Sequence, residues 1–188
     1  MAFRRNVFDK IGLFDEALDA GTLAGGGGDL DIFRRLLLAG IEAIYDPDVL
    51  AYHRHRPQAQ ANRRQFWNYG KTFGALMAKV GWCEPKLRRQ VPRLIWQQLA
   101  MLLRLAWGRL QQRHELPLHL IALEGLGNLI GPMAYLRSVR QAAAQRAAFG
   151  LPKAVEDRSK SVTAVSLIVC TRDRPQQLHR CLTSVSQL

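Results

Sequence analysis

Acidic residues, cysteines and long apolar runs are all scarce in this chain, and each shortage narrows what the protein can be. Its 188 residues hold 15 Asp and Glu against 27 Lys and Arg, a formal net charge of +12. Only three cysteines are present, Cys83, Cys170 and Cys181. They are widely spaced and form no C-x-x-C pair, which excludes a disulfide framework or a cysteine-based zinc site and reads as reduced thiols in a cytosolic setting. A secretory signal is also missing, because Arg4 and Arg5 are followed by no apolar run before Asp9. The nearest approach to a membrane span, residues 116–136, contains His119, Glu124, Gly125, Gly127, Gly131 and Pro132. Those residues lower its fitness to cross a bilayer core about 30 Å thick, so association with a membrane surface is expected rather than spanning.

What is present is ample apolar content, at 48% enough for a packed core, and an uneven charge. Residues 1–80 are nearly balanced, with 11 basic against 9 acidic side chains, whereas residues 81–160 carry 13 against 5, a net +8. Such a stretch favours an anionic partner: nucleic acid, an anionic membrane surface or the phosphates of a substrate. The nucleic-acid reading is the weakest of the three. The arginines are interleaved with leucines on helices, and no compact nucleic-acid motif is present.

The first eighty residues alternate short helical and extended signals, the grammar of an α/β domain. Four glycines, residues 25–28, permit a close turn, and Asp29 follows as the expected N-cap of a helix running to Ala39, with Gly40 as its stop. Leu30, Phe33 and Leu37, with the stem of Arg34, recur at spacings of three and four and predict the buried face. Residues 41–45 read as a strand, 46–48 as a turn and 49–52 as a second extended piece, with His53 and His55 just beyond. From residue 63 the pattern turns helical, with Phe66, Tyr69, Phe73, Leu76, Met77 and Val80 on one stripe. Further helices are expected over 86–110, 118–128 and 133–149. Residues 150–161 read as a linker. Residues 165–170 then form a β-branched strand with a helix beginning at Pro175. The organisation expected is therefore 1–80, 81–149 as a basic amphipathic helical region, 150–161, and 162–188 as an isolated β-α unit.

Several of these segments, taken in order, carry a resemblance. Phe3-Arg4-Arg5 to Phe8, Ile11 to Glu16, Gly26-Gly27-Gly28-Asp29-Leu30-Asp31 with Arg35-Leu36 and Ala39-Gly40, then Tyr45-Asp46-Pro47, Val49, His53 and Tyr69-Gly70 resemble the C-terminal half of a family 2 glycosyltransferase. Residues 165–188, with Thr171-Arg172-Asp173-Arg174-Pro175, look like the start of a second such domain. The resemblance implies a partial GT-A (Rossmann-like) fold and an inverting transfer from a nucleoside-diphosphate sugar to a hydroxyl of a glycan or lipid-linked acceptor.

By that resemblance Asp29 is the general base, with an N-cap Asp as the bland alternative. Asp31 and Arg35 are acceptor-side candidates, although a solvated or Arg-paired acid in the first turn explains Asp31 as well. His53, 24 residues after Asp29, matches a ligand for a divalent metal; imidazole suits Mn²⁺, whereas Mg²⁺ favours oxygen. A surface histidine is its alternative. Thr171, Asp173 and Arg174 match positions that contact the nucleotide, at the carboxyl end of a strand. The sequence departs from the family in having Gly28 where Glu is common. The family's Asp-x-Asp motif belongs ahead of Met1, so the isolated 188 residues are expected to be inactive. A non-catalytic membrane-surface or docking module of a glycan-assembly system is the other class of function that these residues allow.

Overall fold

The computed structural model describes residues 3–45, 59–113 and 116–149. Residues Met1–Leu151 form one compact unit and Pro152–Leu188 a second, which lies outside the described residues. Five α-helices are described: α1 (Arg5–Ile11), α2 (Gly28–Leu38), α3 (Ala59–Cys83), α4 (Val91–Leu110) and α5 (Leu118–Ala148), with 3-10 turns at Glu16–Leu18 and Arg88–Gln90.

No strand is present among the described residues, which overturns the α/β, Rossmann-like expectation. Residues 41–45 show why. Ile44 is 84% exposed, Tyr45 is 87% exposed, and no neighbouring strand is described to accept their backbone hydrogen bonds. A strand is stabilised by pairing with a neighbour, and the segment 41–45 has none among the described residues. The turn at 46–48, the extended piece at 49–52, the linker and the β-α unit of 162–188 all fall outside the described residues.

The central packing is α3 against α5. Both helices carry a Gly-x-x-x-Gly pair, Gly70 with Gly74 and Gly127 with Gly131. At this spacing the two glycines share one helix face, and without Cβ atoms two helices approach backbone to backbone. A Cβ added at Gly127 would lie 2.6 Å from the Trp67 carbonyl oxygen, and one at Gly131 would lie 2.6 Å from the Ala75 nitrogen. Ala75 and Ala134 are buried, and the ring of Trp82 stacks on Tyr135 at 6.4 Å.

The expected break between 128 and 133 does not occur. α5 runs through Pro132 without interruption. Proline removes the N–H that would bond to the Asn128 carbonyl. That carbonyl faces Gly74 on α3, where a Cβ would collide with it, so packing against a glycine carries the helix past its proline. α3, by contrast, matches its stripe: Leu76, Met77 and Val80 are buried and Phe73 packs against the core, although Tyr69 is 51% exposed.

Candidate functional site

α2 begins where three consecutive glycines, Gly25, Gly26 and Gly27, adopt φ of 92°, 142° and 103°. Side chains rarely tolerate such angles, so the turn depends on glycine. It is held from three sides. The Ala24 N–H donates to Ser138 Oγ at 3.0 Å, Lys71 Nζ donates to the Leu23 carbonyl at 3.1 Å, and Gly27 lies against Thr72, whose Cγ2 would be 2.6 Å from an added Cβ. The site's entrance is thereby fixed to α3 and α5. At the far end Gly40, with φ 65°, closes α2: its N–H bonds to Leu37 and that of Ile41 to Leu36, as expected of a glycine stop.

Gly27, not Asp29, is the N-cap. Asp29 sits in the first turn, exposed, and its Oδ1 accepts the Leu30 N–H at 2.8 Å. Asp31, two residues on, faces the opposite side of the helix and is wholly buried. The face predicted to be inside is also corrected. Leu30 is 53% exposed and Leu37 70%, while Ile32 and Leu36 are buried beside Asp31. Phe33 is partly covered by α1 and the loop after it, in an aromatic group with Phe3, Phe8 and Phe14.

Asp31 is the hub of an ion network. Its Oδ1 accepts from Arg34 at 2.9 Å, and its Oδ2 accepts from Arg35 Nε at 2.8 Å and Lys79 Nζ at 2.7 Å. Lys79 also reaches Asp15 Oδ2 at 2.8 Å, to which the Tyr135 hydroxyl donates at 3.2 Å, and Arg34 forks onto Glu84. Arg35 donates onward to the carbonyls of Ile11 and Leu13, tying the end of α1 to α2. Three carboxylates thus meet three cations. Burial alone would push the Asp31 carboxyl up, but hydrogen bonds from Lys79 and Arg34, with the charges of Lys79 and Arg35, outweigh it and hold the group below its ordinary 3.8. Burial first, then the charges of Asp15 and Cys83, pushes the Tyr135 phenol up.

The structure therefore separates the three residues that the resemblance grouped on α2. Asp31 and Arg35 are joined in a partly buried ion network, in which Asp31 accepts from three cationic side chains. Asp29 stands outside it, open to solvent. His53, Thr171, Asp173 and Arg174 lie outside the described residues. Among the described residues no group of three or more His, Cys, Asp or Glu side chains could hold a metal ion. A cavity of about 430 Å³ opens elsewhere, between the Glu16 turn and the end of α5, lined by Asp19, Thr22, Gln141 and Phe149, and contains none of the expected site residues.

Sequence reasoning missed Asp15, Lys79 and Glu84. The spacing Asp31, Arg34, Arg35 was the only local signal of the network, because its remaining partners come from α3 and from the segments on either side. None of the described helices is long and apolar enough to cross a membrane. No family model matches the chain, and none of the curated proteins or solved structures compared with it matches either.

Proposed function

We propose that these residues are the acceptor-side part of an inverting, nucleotide-sugar-dependent glycosyltransferase resembling family 2, with Asp29 as the base. The ordered motifs around residues 3–16, 26–40 and 69–70 support the reading. The observation that carries it is the position of Asp29: an exposed carboxylate in the first turn of α2, directly after a run of glycines. In the proposed step an acceptor hydroxyl gives its proton to Asp29 while its oxygen bonds to the anomeric carbon of the donor. The bond from that carbon to the nucleoside diphosphate breaks with inversion. General-base help of this kind contributes roughly 10²- to 10⁴-fold.

Asp31 and Arg35 have positioning roles in this scheme. They lock α2 to α1 and α3, and so fix the helix start from which Asp29 projects. A divalent metal belongs to the proposal through His53, together with nucleotide contacts at Thr171, Asp173 and Arg174. The described residues supply no ligand set for the metal, and no step is routed through it. The place of work proposed is the cytosol, at the inner face of the cell membrane, in keeping with a basic middle region and described helices none of which is long and apolar enough to span.

The test is release of nucleoside diphosphate from a panel of sugar nucleotides by the full open reading frame that contains these residues. Transfer that falls by roughly 10²-fold or more in Asp29→Asn, with an unchanged melting temperature, supports the proposal. Equal rates in wild type and variant, or no transfer with any donor, contradict it.

A further inference from the structure

The outer side of α4 has no use in that scheme, and it carries a row of exposed large apolar side chains. Ile95, Trp96, Leu99, Leu103, Trp107 and Leu110 are 46–65% exposed. At 3.6 residues per turn they fall within an arc of about 120°. The flank of the helix next to Ile95 is occupied: Leu102 is buried against α5 near Gly125, and Gln98 Nε2 donates to Glu124 Oε1 at 2.9 Å. The stripe is thus neither the inward face of α4 nor an accident of one residue.

Charge borders the stripe in a regular way. Arg93 and Arg104 each stand three residues before a tryptophan, Trp96 and Trp107, so each arginine shares an edge of the helix with its indole. Both arginines are exposed, and neither forms an ion pair among the described residues. From residue 85 to 113 there are seven Lys and Arg and no Asp or Glu. Indoles seek the headgroup level of a bilayer, aliphatic side chains its acyl boundary, and guanidinium groups its phosphates.

We infer that α4 docks in the plane of an anionic lipid membrane, with Trp96, Leu99, Leu103 and Trp107 inserted at the headgroup–acyl boundary and Arg93 and Arg104 on lipid phosphates. The inference rests on the proposed placement at the membrane face and names the element that makes the contact. A twenty-residue helix is about 30 Å long. Its length would reach across a bilayer core, but Arg93, Gln97, Gln98 and Arg104 along its other sides keep it from doing so, and it lies flat. A second copy of this chain is a poorer occupant, because the cations beside the stripe would face one another across the interface. Nucleic acid would use the arginines and indoles but leave the leucines between them in water.

Flotation of the purified protein with vesicles decides it. The wild type is expected to float with an equimolar mixture of phosphatidylcholine and phosphatidylglycerol, less with phosphatidylcholine alone, and less again as salt is raised. Trp96→Ala with Trp107→Ala is expected to lower partitioning about tenfold or more, and Arg93→Gln with Arg104→Gln to remove the preference for phosphatidylglycerol. These side chains are exposed, so circular dichroism should be unchanged. Equal flotation of wild type and the tryptophan variant overturns α4 as the contact while leaving the membrane placement standing. Failure of the wild type to float, with or without salt-dependent oligonucleotide binding, overturns both, and sugar transfer is judged separately by the Asp29 assay.

Discussion

At the closest approach of the seam between α3 and α5 the residues are glycines, whereas along α4 two tryptophans and four other large apolar side chains stand about half exposed or more. In the first region stability comes from the close approach of two backbones, in which many small dispersion contacts add up. In the second, apolar area that could have been buried is left in water. A chain that closes one helix pair on glycines and leaves a row of large apolar side chains exposed on another helix keeps this part of its stability and its contacts with other molecules in different places. The same division recurs within one turn of α2, where Asp31 is wholly buried and ion-paired and Asp29 is open.

Substitutions should separate the two regions by size of effect. Gly131→Leu is expected to have the largest, because it drives a side chain into the α3 backbone; a loss of about 5 kcal/mol or more, seen as absence of a cooperative thermal transition, would place the seam at the centre of stability. A mild effect would mean that the two helices can separate and that the seam is not what holds them. Asp31→Ala comes next, since it leaves three converging cations without their shared carboxylate, at a cost of about 3–5 kcal/mol in denaturant unfolding.

The pH dependence follows from the same carboxylate. Its folded value is depressed, so its contribution is present above its ordinary 3.8 and is lost as pH falls below that and through the depressed folded value. The acid limb of a stability profile should therefore flatten in Asp31→Ala. Ser138→Ala is expected to cost about 1–3 kcal/mol, because it strands the buried Ala24 N–H. At the bottom of the scale, Trp96→Ala with Trp107→Ala should change stability in water by no more than about 0.5 kcal/mol, as expected of exposed positions. A large loss there would show that the stripe is packed in solution and would erase the contrast between the regions.

Some of this was legible in the sequence. Gly40 ends α2 because only a residue tolerant of positive φ closes a helix in that way, and the glycines before Asp29 make the turn their composition implies. α3 shows the buried stripe of Leu76, Met77 and Val80 because a single long helix displays its own periodicity. What periodicity does not say is which of two faces is inside. Leu30 and Leu37 point outward because the inward face of α2 is claimed by Asp31, whose partner Lys79 is 48 residues away and is shared with Asp15. Residues 41–45 form no strand although their composition suggests one, and α5 runs past Pro132 because a glycine on another helix makes room for the carbonyl it frees.

The Asp29 proposal is most directly tested by one paired measurement on the full open reading frame: sugar transfer and thermal stability of Asp29→Asn beside Asp31→Asn. The account predicts that Asp29→Asn loses transfer by roughly 10²- to 10⁴-fold at an unchanged melting temperature, while Asp31→Asn lowers the melting temperature first. Undiminished transfer by Asp29→Asn would contradict it.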